Sequence, residues 1–510
     1  MAVKIILLLV FFAIMIAVGV YSRKKATNVN DFVLGGRSVG PWMTAFAFGT
    51  SYFSSVVFVG YAGQFGWKYG LASTWIGLGN AFIGSLLAWV ILGRRTRVMS
   101  QKLESATMPD FFGKRYDSKA LKLVASAICF VFLIPYTASI YNGLSRLFAM
   151  AFDIPYSACI ITMAVLTGVY VILGGYMATA INDFIQGIIM LIGIVAVIVA
   201  VLNGHGGFYE AVFQLAELES DVAVTMGQKG VFTSFFGPDV VNLIGVVVLT
   251  SLGTWGLPQM VHKFYAIKDE RAVKTGTVVS TIFAIIISGG CYFLGGFARL
   301  YADADIYKAD GSVMYDAIVP AMLSTLPDIL IGIVIVLVLS ASMSTLSSLV
   351  LTSSSTLTLD FIKGTIVKDM KEKTQLIVMR VLIAFFIILS VVIALNPPTF
   401  IAQLMGISWG ALAGAFLAPF MYGLYSKKVT KAAVWASFVV GVGLTVSNMF
   451  FKFIASPINA GAIAMVASLI VVPIVSLITP KMKQETVDEI FSCYDQKVTV
   501  TEKTSLGENA

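Results

Sequence analysis

The sequence predicts an all-α, polytopic membrane protein. Three observations carry this. Of its 510 residues, 58% are hydrophobic and only 12% charged, more apolar surface than a soluble domain of that length can hide. Apolar runs near the ~20 residues needed to cross a bilayer recur along almost the whole chain. Basic and acidic loops alternate between those runs, as spans of opposite direction require.

About thirteen spans can be drawn: a leading helix over roughly 3–22, ten core helices, and trailing helices at about 430–452 and 459–480. Core helices one to five fall at about 42–67, 70–93, 121–150, 156–174 and 177–203. Core helices six to ten fall at about 239–265, 273–301, 327–355, 376–396 and 400–425. The start, Ile5 to Tyr21, has no basic n-region beyond Lys4 and no small-residue cleavage site after it, so it reads as a retained helix. Residues 1–480 form the transmembrane domain, with inverted core repeats expected at about 42–203 and 239–425. The polar stretch 481–510 is expected to be a mobile cytoplasmic tail.

Loop charge sets orientation. One set of loops holds Arg23, Lys24, Lys25 and Arg37, then Arg94, Arg95, Arg97 and Lys102 through Lys122. Lys263, Lys268, Arg271 and Lys274 follow, then Lys363, Lys368, Lys371 and Lys373, then Lys427, Lys428 and Lys431. The intervening loops carry Glu210, Glu217, Glu219 and Asp221, or Asp303, Asp305 and Asp310. All basic loops fall on one side if the N-terminus is outside and the C-terminus cytoplasmic, in the plasma (inner) membrane. The net charge of +8 is thereby explained without nucleic acid. Four cysteines show no metal or disulfide spacing, and His205 and His262 accompany no nucleophile motif, so an enzyme is not expected.

Two core helices look interrupted. Phe48-Gly-Thr-Ser-Tyr-Phe-Ser-Ser55 puts a polar, Gly-containing patch inside helix one, and Thr250-Ser-Leu-Gly-Thr-Trp-Gly-Leu-Pro258 does so inside helix six. Paired broken helices in corresponding halves point to a midplane transport site built on an inverted repeat. In helix eight, Ala341, Ser344, Thr345 and Ser348 share one face. A hydroxyl stripe suits another helix, water or a bound cation, not lipid. Asp183 of helix five lies about two turns inside its span, at a depth where it can meet Ser344, Ser347 and Ser348. A carboxylate with several hydroxyls suits a hard monovalent cation such as sodium.

Five stretches together resemble the sodium/solute symporter family, and its sodium/proline branch most. They are Asp31-Phe-Val-Leu-Gly-Gly-Arg-Ser-Val-Gly40, Thr107-Met-Pro-Asp-Phe-Phe-Gly-Lys-Arg-Tyr116, Gly174-Gly175 with Asp183, Gly256-Leu-Pro-Gln-Met-Val-His-Lys-Phe-Tyr-Ala266, and Ala341-Ser-Met-Ser-Thr-Leu-Ser-Ser348. The resemblance implies the leucine-transporter fold and a shared sodium site. Its ligands would be backbone carbonyls of Thr50, Phe53 and Ala341 with hydroxyls of Ser344 and Thr345. A second sodium site, found in some members, would match Asp183, Ser344, Ser347 and Ser348. The implied substrate pocket lies between helices one, three, six and ten, at Ser54, Tyr136, Thr254, Trp255, Pro258, Gln403 and Trp409. The proline branch carries an Asp in the first broken helix where this chain has Tyr52.

No Arg or Lys is expected at midplane depth, so a substrate carboxylate would rest on broken-helix N–H groups and hydroxyls. That favours a small amino acid such as proline, or a monocarboxylate, imported with Na+. A sugar or sialic acid symporter remains open, as does a non-transporting channel or sensor on the same fold. The monomer is the expected functional unit, working in the lipid bilayer.

Overall fold

In a computed structural model, residues 2–23, 28–152, 154–302, 306–367, 369–397 and 401–495 are described. Lys24, Lys25, Asp303, Asp305, Lys368 and the tail beyond Asp495 lie outside them. The described residues are almost wholly helical, with only two isolated β-bridges, Val39 to Ile267 and Tyr307 to Val313. Ten of their helices are long and apolar enough to cross a membrane, eleven if a bent pair is one span. One of the ten, Val56–Lys102, has 47 residues, too many for a single crossing, and reverses at Gly70 (φ +60°, ψ −141°). A second run, Tyr156–Gly204, breaks at Gly175 (φ +56°, ψ −150°), a backbone shape that glycine alone adopts freely.

Both expected interruptions are present. Core helix one runs as Pro41–Tyr52, breaks at Phe53 (φ −93°, ψ +124°), and resumes from Val56. Core helix six runs as Val240–Gly256, breaks at Leu257 (φ −81°, ψ +123°), and resumes as Pro258–Tyr265, bent by 44°. Pro258 takes the first position of the second half, where its missing N–H breaks no helical bond. The leading helix, Ala2–Arg23, packs on the Tyr156–Gly204 run and on core helix eight, Asp328–Thr356. There Lys4 Nζ pairs with Asp328 at 2.9 Å.

The sequence motifs outside the spans act as clamps. Gly35 and Gly36 adopt positive φ (58° and 66°), which turns Arg37 inward. Its guanidinium donates to Ser105 O (2.7 Å), Tyr265 O (3.1 Å) and Ser100 Oγ (3.1 Å), tying the end of helix six to the loop after helix two. Burial pushes its pKa down to about 10, so it stays charged at neutral pH. Thr107 caps the short helix Met108–Arg115, accepting from Asp110 N. From that helix Arg115 donates to Gly423 O and Ser426 O, both at 2.9 Å, and Tyr116 donates to Pro419 O at 2.6 Å, fastening it to core helix ten, Ile401–Tyr425.

Two expectations need correction. The stretch from residue 481 is not all mobile: Gln484–Phe491 is a helix that buries Val487, Ile490 and Phe491 against the bundle. Its apolar residues share one face, which gives it an amphipathic docking surface. Lys427 pairs with Asp488 at 2.7 Å, and the Arg95 guanidinium lies 4.0 Å from the Tyr425 ring and 4.5 Å from the Tyr494 ring. Lys263, placed by sequence in a basic loop, is buried inside the bundle at 1% exposure. The second half of helix six extends to Tyr265 before the loop begins, so Lys263 belongs to the helix.

Candidate functional site: an oxygen cage between helices one and eight

The break in helix one releases backbone oxygens. Val57 N, which an unbroken helix would bond to Phe53 O, bonds to Ser54 O at 3.0 Å. Ser55 N donates across to Ser342 Oγ on helix eight at 3.2 Å, and Val56 N to Ser54 Oγ at 3.2 Å. The carbonyls left over point at helix eight. Thr345 Oγ1 stands 3.2 Å from Thr50 O, 3.1 Å from Phe53 O and 3.1 Å from Ala341 O. A hydroxyl has one proton, so it cannot satisfy three carbonyls at once. The cluster is rich in oxygen lone pairs and poor in donors. Ser344 Oγ, on the residue before Thr345, is buried beside Asp183 without ordinary hydrogen-bond geometry. Thr50, Ser344 and Thr345 are all at 0% exposure, with no charged side chain among the five residues of the cage. Neutral oxygens converging from unwound backbone and hydroxyls suit a hard monovalent cation. The structure therefore brings Thr50, Phe53, Ala341 and Thr345 together, with Ser344 next in sequence.

The Asp183 group lies one turn further along helix eight. Asp183 is fully buried, not wetted by solvent. Its Oδ2 is 3.3 Å from Lys263 Nζ, which also donates to Ser348 Oγ at 2.9 Å. Ser348 Oγ is 2.8 Å from Ser51 Oγ on helix one and 3.1 Å from Ser344 O. Ser347 Oγ donates to Ser344 O at 2.8 Å. Asp183, Ser344, Ser347 and Ser348 thus share a neighbourhood with an ammonium that sequence reasoning did not place there.

The pocket residues divide. Tyr136 and Trp409 meet edge-on, ring centroids 5.8 Å apart, and Tyr52 lies 5.8 Å from Trp409 on the other side. Helix six joins them closely: a Cβ built on Gly253 would lie 2.6 Å from the Trp409 ring. The hydroxyls of Tyr52 and Tyr136 and the indole N–H of Trp409 are buried without a partner in ordinary hydrogen-bond geometry, the Tyr52 hydroxyl beside Thr250 and Ser288 and the Tyr136 hydroxyl beside the Trp409 indole. Ser54 is buried beside the Tyr136 hydroxyl without ordinary hydrogen-bond geometry. The polar atoms of Tyr136 and Trp409, with the Tyr52 ring packed beside Trp409, give an aromatic cluster that can hold a small zwitterion or anion. Thr254 and Trp255 are committed to the scaffold instead. Thr254 Oγ1 donates to Gly84 O and the Trp255 indole to Ile83 O, each at 2.9 Å. Pro258 is buried at the restart of helix six. Gln403 lines a different space, a cavity of about 580 Å³ shared with Gln64, Lys68, Asp239 and Arg299. Tyr52 was missed as a pocket member, because the sequence marked it only as the site of an absent Asp.

Comparison with known proteins gives the fold and the family. A Na+-coupled sialic acid symporter, solved substrate-bound and outward-open, superposes with a TM-score of 0.77 at 19% identity, covering 94% of this chain and 98% of that one. Mhp1, a nucleobase-cation-symport-1 family transporter solved closed with bromovinylhydantoin, gives 0.54 at 12% identity, covering 91% and 98%. These likenesses give the fold, that of the leucine transporter. In sequence, the osmoregulated proline transporter OpuE of Bacillus subtilis is 28% identical over 447 residues, 86% of this chain and 88% of its own length. A sodium/proline symporter of Staphylococcus aureus is 30% identical over 449 residues, 86% of this chain and 84% of its own. The profile of the sodium:solute symporter family matches residues 32–441, from just before the first glycine clamp into the first trailing helix, and the chain belongs to that family.

Proposed function

We propose that this symporter imports a small amino acid, proline first among candidates, or a small monocarboxylate, by alternating access driven by sodium. The observation that carries the sodium part is the cage in which Thr345 Oγ1 meets the carbonyls of Thr50, Phe53 and Ala341. A cation there bridges the two pieces of helix one to helix eight and so favours one packing of the halves over another. The substrate part rests on the cluster of Tyr52, Tyr136 and Trp409, rings from helices one, three and ten that pack together and carry buried polar atoms without ordinary hydrogen-bond geometry. With Trp255 bonded to helix two and Gln403 in the separate cavity, the pocket narrows to Ser54, Tyr136 and Trp409 with Tyr52 added. The proline relatives favour proline; the replacement of the branch's Asp by Tyr52 favours a related but different small carboxylate.

Loop charge supports an N-terminus outside and a C-terminus in the cytoplasm, with one chain as the functional unit. The docked helix Gln484–Phe491 lies on the same side as the basic loops, through Lys427 and Arg95. A thermal-shift screen of the purified protein tests the substrate class. Proline or a close analogue is expected to raise the melting temperature more with sodium than without, because ligand and ion stabilise the same state. A larger sodium-dependent shift with a sugar or sialic acid would overturn the assignment.

A further inference from the structure

We infer that the Lys263 ammonium is a tethered cation that fills the second cation site, so that this chain moves one sodium per substrate. The inference rests on the sodium-symport reading above and concerns its stoichiometry. Asp183, Ser344, Ser347 and Ser348 supply the carboxylate and hydroxyls that a second sodium would need. Lys263 Nζ already sits among them, 3.3 Å from Asp183 Oδ2 and 2.9 Å from Ser348 Oγ. Its third neighbour is the Tyr176 ring, over which Nζ lies 5.2 Å from the centroid. An ammonium has three donors and no acceptor, and the carboxylate, the hydroxyl and the ring give it three neighbours, while Asp183 Oδ1 stays buried without a partner.

Both members of the pair are out of solvent, with side-chain exposures of 2% for Lys263 and 0% for Asp183. Among the described residues, Asp183 is the one carboxylate within ion-pair distance of Lys263. The site is therefore already neutral. A sodium ion entering it would carry a net positive charge into a buried place and stand within about 4 Å of the ammonium. At the effective dielectric of protein sites that repulsion weakens binding roughly a thousandfold. The residues present do not fit a second sodium while Lys263 stays.

The position of Lys263 in the fold gives the substitution a use. It belongs to Pro258–Tyr265, the half of helix six that restarts after the break, and that half packs against helices one and eight. Ser348 passes the contact on to Ser51, next to Thr50 of the oxygen cage. A carboxylate whose charge depended on a transported ion would be left bare whenever the carrier returned empty, at high cost in a low-dielectric interior. With Lys263 attached, the Asp183 site is balanced in the loaded and the empty carrier alike, and sodium enters only the neutral cage.

Equilibrium binding of sodium to the purified full-length protein tests this. The wild type is expected to bind one sodium, and K263A two, since the vacated carboxylate and hydroxyls then have no cation. Two ions on the wild type, or one on a folded K263A protein whose cage binds normally, overturn the inference. Should K263A fail to fold, the neutral double variant D183N/K263M decides. It is expected to keep the single sodium of the cage, and loss of that sodium overturns the inference, because the ion then needed Asp183. A wild type that binds none overturns the sodium-symport reading itself, and the inference with it.

Discussion

Removing the Thr345 hydroxyl perturbs the cage at its centre. Thr345→Ala deletes the one atom that stands within 3.1–3.2 Å of all three carbonyls, Thr50 O, Phe53 O and Ala341 O. A cation held by those oxygens and Ser344 loses one of about five ligands. A hydrogen-bond-like contact to a charged group contributes roughly 1.5–3 kcal/mol. At about 1.4 kcal/mol per tenfold change, the half-saturating sodium concentration should rise roughly ten- to hundredfold. The protein itself should also lose stability without sodium, by about 1 kcal/mol, as Thr50 O and Phe53 O lose their hydroxyl partner. Thr345→Ser keeps the oxygen and should stay near wild type. Ser344→Ala, which removes an oxygen that lies beside Asp183 without ordinary hydrogen-bond geometry, should weaken sodium about tenfold with little effect on stability. The assay is the sodium dependence of initial uptake in proteoliposomes, with insertion measured in parallel. Unchanged sodium dependence in both alanine variants at normal insertion would refute the cage.

Tyr52→Phe removes a buried hydroxyl that lies beside Thr250 and Ser288 without ordinary hydrogen-bond geometry, so binding isotherms should show roughly tenfold weaker substrate affinity with little change in melting temperature. Trp255→Phe should act the other way. Losing the 2.9 Å bond to Ile83 O should lower thermal stability by about 1 kcal/mol while substrate affinity is kept, and a selective affinity loss would return Trp255 to the pocket. Gly66→Ala would drive a Cβ to 1.7 Å from Gly295 O, a backbone atom that cannot step aside, so the helix-one/helix-seven contact should open and surface expression should collapse. Normal expression of that variant would contradict the packing.

Much of the site announces itself in the sequence because the bilayer makes polar residues conspicuous. Glycine and hydroxyls inside apolar runs marked the breaks near Phe53 and Leu257, and the stripe Ala341 to Ser348 marked the facing helix. The carbonyls of Thr50 and Phe53 left no such trace. A backbone oxygen has no side-chain signature, and only the resemblance pointed to them. Lys263 stayed hidden for a different reason. A lysine in the last turn of the span drawn over 239–265 reads with the loop charge that follows it, although the apolar Phe264 and Tyr265 after it belong to the same span. Likewise Val487, Ile490 and Phe491 spelled out one face of a helix within a tail judged by its polarity. Trp255 shows the limit of position alone: it follows the break as a pocket residue should, yet its indole is held by helix two.

The central claim is sodium-driven uphill transport of a small amino acid or monocarboxylate. Its most direct test is accumulation of labelled proline, and of other small amino acids and monocarboxylates in turn, in proteoliposomes bearing an inward sodium gradient. The account predicts transient accumulation above the outside concentration for at least one of them, abolished when potassium replaces sodium or when Thr345 is changed to alanine. Equal uptake with and without the sodium gradient, or flux that never exceeds equilibration, would contradict it.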